Sequence, residues 1–143
     1  MNRARGGIYE LTDCSMAPAR VMIAVLEGVL VVATILCALA NAIEVTAKVT
    51  RADFVMRNCA EVGLSARWIP YLAVVEGAGV IGLMLGLLGV RPFGLAAAVG
   101  LVLFFVGAIL AHVHARVFHN IAFPAVFLVL AVAAVGHFAW TTA

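Results

Sequence analysis

Four long runs of apolar residues, broken by short polar stretches, dominate the hydropathy pattern of this chain. They cover about Val21–Ile43, Ile69–Val90, Phe93–Val113 and Ile121–Trp140. Crossing about 30 Å of hydrocarbon takes roughly 20 apolar residues in a helix, so each run predicts a membrane span. Trp68 and Tyr71 stand at the entrance of the second span and Trp140 at the exit of the fourth, where interfacial aromatics belong. Arg91-Pro92 reads as the tight turn between spans two and three. The fold class is therefore all-α: an integral membrane four-helix bundle occupying residues 1–143 as a single domain.

The connection between spans one and two has a different pattern. Val55, Cys59 and Val62 recur at i, i+4, i+7 and Arg57 stands four residues before Glu61, the spacing of an amphipathic helix. Thr50-Arg51-Ala52-Asp53 resembles a capping box and Gly63 a helix stop. A short interfacial helix is predicted there, with a solvated loop as the alternative. The first twenty residues read as a polar tail or surface segment. The apolar run after them is too long for the core of a signal peptide.

Composition agrees with this pattern. Of 143 residues 66% are hydrophobic and only 11% charged, with a mean hydropathy of +1.17. A water-soluble domain carries about 25% charged residues. The net charge of +2 comes with no stripe of basic and aromatic residues, so nucleic acid is not an expected partner. The expected surroundings are the lipid bilayer, with a membrane protein partner, a second copy of the chain or a small apolar ligand as further possibilities. An even number of spans puts both termini on one side. That side carries Arg3, Arg5, Arg20 and Arg91, against Lys48, Arg51, Arg57, Arg67 and Arg116 on the other. This balance gives no positive-inside signal; the expected setting is a bacterial cytoplasmic membrane with the termini facing the cytoplasm.

Ionisable residues inside apolar runs are costly and tend to face a bundle interior or a wet cavity. Here they are Glu27, Glu44, Glu76, His112 and His137. In antiparallel spans at about 1.5 Å per residue, Asn41, Glu44, Glu76 and His112 gather in one half of the membrane with Lys48 nearby. Glu27 and His137 gather toward the opposite face. The first cluster is the candidate site. Burial disfavours a charged carboxyl and a cationic neighbour favours it, so such a group can exchange a proton near neutral pH. Glu76, His112 and Glu44 are the candidate catalytic residues; Asn41, Lys48, Arg116, Glu27 and His137 are candidate ligand-binding residues. The competing reading is structural, with Glu76 and His112 bonded to each other and locking the bundle.

Other motifs add less. His112 and His114 would point about 200° apart on a helix, whereas a zinc pair needs i, i+4 spacing. No metal site is expected and no cofactor is evident. His112, Arg116 and His119 share a helical face and form a polar stripe at the membrane edge. The string from Gly77 to Gly82 matches GxGxxG but lies inside a span, with no preceding strand. Gly79, Gly82, Gly86 and Gly89 instead form a smooth face for close helix approach, as do Gly100 and Gly107. Cys14, Cys37 and Cys59 form no CxxC pair; Cys37 reads as a small packing residue, and Cys14 and Cys59 can meet only through folding.

Val74–Leu87 (VVEGAGVIGLMLGL), Val106–Arg116 (VGAILAHVHAR) and the Gly63-Leu64 dipeptide closing the first connection together resemble the DoxX-like family of small bacterial four-span membrane proteins. The resemblance covers most of the chain from about Val21. Such proteins often carry Gly-x-x-Lys near the end of the first span, where this chain has Asn41-Ala-Ile-Glu44 and a lysine only at Lys48. The resemblance implies association with membrane oxidoreductase assemblies, quinol oxidation or thiol stress. Three functions are thus in view. One is an accessory subunit of a redox or envelope complex that binds a small apolar ligand. Another is a membrane-embedded acid–base enzyme acting on a lipid, quinone or isoprenoid, with Glu76 as proton donor or acceptor. The last is an oligomeric proton-coupled transporter.

Overall fold

The computed structural model describes the backbone of residues 3–140 and the side chains of 18–140. Among the described residues it contains five α-helices and no strand: α1 (Arg3–Val49), α2 (Asp53–Glu61), α3 (Ile69–Leu87), α4 (Arg91–His114) and α5 (Ala122–Trp140). A 3-10 turn at Ala66–Trp68 leads into α3. The four long helices carry the apolar runs Pro18–Val49, Ala66–Leu87, Arg91–His114 and Ala122–Trp140, each long enough to cross a membrane. They form a closed ring in which α1 packs on α3, α3 on α4, α4 on α5 and α5 back on α1.

The ring is inside-out relative to a water-soluble protein. Its core is small and smooth, built on Cys37, Ala98, Ala131 and Ala134 with Leu83, Leu101, Phe105 and Phe138 filling the gaps. Val, Leu, Ile and Phe crowd the outer surface instead. In lipid the hydrophobic effect does not drive helices together, so association depends on close packing between small residues. A Cβ on Gly79 would stand 2.7 Å from Leu101 Cδ2; one on Gly82 would press on Ala97; one on Gly86 would meet the Gly94 backbone and the Phe138 ring. The face built by Gly79, Gly82 and Gly86 is therefore the α3–α4 contact.

The sequence reading needs correction at several places. Gly89 is not part of that face: it takes φ +108° in the α3–α4 turn, a conformation that favours glycine. Gly100 and Gly107 have no atom within 4 Å of a would-be Cβ and pack against nothing; Gly94 serves α4 in their stead. Arg91-Pro92 opens α4 rather than forming the turn, because proline's missing N–H costs nothing in a first helical turn. The Thr50–Asp53 capping box is not made. Ala52 is the N-cap of α2, with no side-chain bond, and Thr50 Oγ1 donates backward to Thr46 O at 2.9 Å. Gly63, at φ +76°, does stop the short helix. Finally, α1 extends well beyond Val21–Ile43 in both directions, and this extension determines the site.

Candidate functional site

Because α1 stays helical to Val49, Lys48 lies one turn beyond Glu44 on the same face. Thr34, Cys37, Asn41, Glu44 and Lys48 fall at i, i+3, i+7, i+10, i+14, a single stripe facing the bundle. Thr34, Cys37 and Asn41 are fully buried and Lys48 is 8% exposed. The Lys48 ammonium donates to Glu76 Oε2 at 2.6 Å and to Glu44 Oε1 at 2.9 Å. Glu76 comes from α3, the antiparallel neighbour of α1, and is itself fully buried. The centre of the site is thus a carboxylate–ammonium–carboxylate triad spanning two helices, with Lys48 and Glu76 buried and Glu44 half-buried.

This corrects the pairing of Glu76 with His112. The carboxylate has the stronger partner, since a charge removed from water is tolerated when an opposite charge and hydrogen bonds replace its solvation. His112, 5% exposed, turns its Nδ1 to Ala108 O at 2.8 Å on its own helix. Asn41 likewise turns inward along α1, its Nδ2 donating to Cys37 O at 2.7 Å. Three buried polar atoms are left without a hydrogen-bond partner among the described residues: Glu76 Oε1, Asn41 Oδ1 and His112 Nε2.

Beside the triad lies a cavity of about 860 Å³. Lys48 and Glu44 of α1 and His112 of α4 supply its inner polar wall, while Leu72, Leu103, Phe105 and Phe127 are among its apolar lining. Glu76 and Asn41 are not among its lining residues. Over the cavity lies α2, with Val55 and Cys59 facing in. Burial pushes the Cys59 thiol above its ordinary value, with the Lys48 charge opposing and the Glu44 charge adding to the rise. A polar latch joins α2 to the α4–α5 loop. Asn120 Nδ2 donates to Asn58 Oδ1 at 2.8 Å and reaches Glu61 Oε2 at 3.4 Å, and His119 Nε2 stands 3.1 Å from the same Glu61 oxygen. Glu61 therefore serves the latch and makes no pair with Arg57.

The remaining site candidates lie elsewhere. Arg116 is exposed and outside the cavity. The helix ends at His114, Val117 N–H closes onto His112 O at 2.9 Å, and Arg116 takes φ +56°, the left-handed residue of a helix-ending motif. The stripe of His112, Arg116 and His119 is thereby broken, and only His112 and His119 reach the cavity. At the other end of the bundle Glu27 is exposed on α1 and His137 half-buried on α5, where the charges of Arg91 and Glu27 act on it. Cys14 lies outside the residues whose side chains are described. Among the described residues, no three His, Cys, Asp or Glu side chains gather closely enough to hold a metal ion.

The sequence matches the DoxX-like family over residues 32–134, well over half of the chain. The protein belongs to the DoxX-like family. The matched region runs from the stripe on α1 to the core of α5 and contains the triad, the cavity lining and α2. No curated protein and no solved structure matches the chain. The altered Gly-x-x-Lys position does not deprive this DoxX-like protein of a cation, because Lys48 supplies one from the next turn. The spacing of Asn41, Glu44 and Lys48 already contained that signal, hidden when the first span is ended at Ile43.

Proposed function

We propose that this DoxX-like membrane protein is a ligand-binding accessory component. In this role it holds one small, largely apolar molecule in the cavity between α2 and the α1, α4 and α5 walls. The observation that carries this reading is the cavity itself. Its volume of about 860 Å³ lies in the range of small-molecule sites, and it combines an apolar lining with a few convergent polar groups as such sites do. An accessory role in a membrane redox or envelope complex fits better than turnover by Glu76, because one Glu76 oxygen is held by Lys48 and the side chain does not line the cavity. With the termini on the cytoplasmic side of a bacterial membrane, the cavity and α2 belong to the opposite leaflet.

A second reading is acid–base catalysis on a lipid, quinone or isoprenoid bound in the same cavity. It is favoured by one observation, that the titratable side chain of His112 lines the cavity, and it makes His112 rather than Glu76 the group that exchanges a proton with substrate. Proton-coupled transport is the weakest of the three, since most of the described buried residues between the two polar ends, such as Leu83, Leu101 and Ala131, are apolar, with Thr34 the polar exception.

Ala108 and Ala111 both line the cavity, so a photoactivatable alkyl probe tests the reading. Crosslinks are expected on α2 and on the second half of α4, and Ala111→Trp is expected to suppress them by filling the space. Labelling spread evenly over all four outer helix faces, unaffected by Ala111→Trp, would contradict a cavity ligand. Conversion of a bound lipid to product by wild type and not by His112→Phe would favour the second reading.

A further inference from the structure

We propose that the cavity takes a single-chain anionic amphiphile, with its alkyl chain among the apolar lining and its anionic head at Arg57 on α2. This rests on the reading of the cavity as a ligand site and names the class of ligand.

Besides its histidines, the lining carries four charged side chains: Glu44, Lys48, Arg57 and Glu61. Three of them already have a partner. Lys48 and Glu44 are paired at 2.9 Å, and Lys48 is also bonded to Glu76. Glu61 takes a latch bond from Asn120 and stands beside His119. Arg57 makes no hydrogen bond or ion pair among the described residues, although Asp53 stands one turn before it and Glu61 one turn after. Asp53 is exposed and does not line the cavity. The one unpaired charge of the lining is therefore positive. A guanidinium presents five N–H donors in a planar fork that matches the oxygens of a carboxylate or phosphate. Beside it, Asn58 accepts from Asn120 through Oδ1, and its Nδ2, bonded to no described residue, remains to donate to the same head.

The distribution of charge also orients the ligand. Arg57 is exposed and belongs to the rim, whereas Lys48 is 8% exposed and set against two carboxylates. When all three are ionised the inner wall is net negative, so it turns an anionic head away while the rim cation holds it. The chain then lies inward, against Leu72, Leu103, Phe105 and Phe127. Arg51, Arg67 and Arg116 are exposed at the same end of the bundle, against the acids Asp53 and Glu61, and their field draws anionic amphiphiles toward the rim. The volume of about 860 Å³ is that of a site for one small molecule. It suits one chain with a compact head, whereas a bilayer phospholipid brings a second chain.

The test is a matched series with one chain: hexadecyl phosphate, hexadecanol and hexadecyltrimethylammonium, each competing with a diazirine-bearing hexadecane for crosslinking to α2 and α4. The full-length protein is held in phosphatidylcholine nanodiscs. The phosphate is expected to compete about fivefold better than the alcohol, the scale of one exposed ion pair, with the ammonium no better than the alcohol. In Arg57→Gln that preference is expected to vanish while the alcohol competes as before, which shows that the cavity is intact. Arg67→Gln, at the same end but outside the lining, is expected to keep the preference. Equal competition by all three compounds, an ammonium that competes best, or a preference lost equally in both variants would overturn the inference and leave the cavity reading standing. Phosphatidylglycerol in the nanodisc is expected to leave the crosslinking unchanged; if it competes as well as the phosphate, the occupant is a bilayer lipid and the single-chain assignment falls. If none of the three compounds competes, the cavity reading itself fails and the inference with it.

Discussion

Lys48 holds the site together, because Glu76 is fully buried and, among the described residues, the ammonium is the only charge bonded to it. Removing one partner of a buried pair strands the other, at a cost of about 3–5 kcal/mol, whereas removing both can be nearly neutral. Lys48→Met is therefore expected to destabilise the protein by that amount in equilibrium unfolding in detergent. Adding Glu76→Met to it is expected to recover most of the loss; additive losses would show that the pair does not form. Glu44 is 23% exposed in this triad and its i, i+4 bond to Lys48 is of the weak surface kind, so Glu44→Gln is expected to cost less than about 1 kcal/mol. At this scale the sequence was partly legible. Glu76 and His112 stood out as ionisable residues inside apolar runs, and depth arithmetic placed them at one end of the bundle. Their partners were not legible, since choosing Lys48 over His112 depends on where α1 ends and on rotamers that spacing does not specify.

Among the elements, α2 and the glycine face of α3 behave oppositely. The small helix touches the bundle through Val55 and the latch at Asn58, Glu61, His119 and Asn120, so it is the element most easily lifted. Cys59 reports on it. Its thiol is raised by burial, so less of it is thiolate at neutral pH than in an exposed cysteine. Maleimide labelling in a Cys14→Ser background is expected to be slow and to keep rising with pH beyond the ordinary thiol value. Asn120→Ala, which removes two latch bonds, is expected to accelerate it several-fold; an unchanged rate would mean that the latch does not hold α2. The α3 face is rigid. Gly82→Ala drives a Cβ into Ala97 and is expected to cost about 1–3 kcal/mol, while Gly100→Ala meets nothing and gains up to about 1 kcal/mol from helix propensity. The glycine spacing on α3 announced its close contact in advance. The same logic failed for Gly100 and Gly107 because spacing alone does not say which side of α4 a neighbour occupies. The amphipathic period of α2 was legible, but its place along the cavity was not, since that depends on a loop sixty residues away.

At the scale of the whole molecule, a ring of four helices with a small-residue core and a greasy exterior leaves a sizeable space at the end where α1 and α4 finish and α3 begins. The hydropathy pattern was sufficient for the bundle, and family membership agrees with it. The space was not visible in the sequence, because a cavity arises from what four helices together fail to fill. The most direct measurement is the small-molecule content of the protein purified gently from its native membrane, compared between wild type and Ala111→Trp. An occupied cavity predicts an apolar molecule at close to one per chain in the wild type, largely lost from an equally folded variant. Identical content in the two proteins, or only bulk membrane lipid in both, would contradict it.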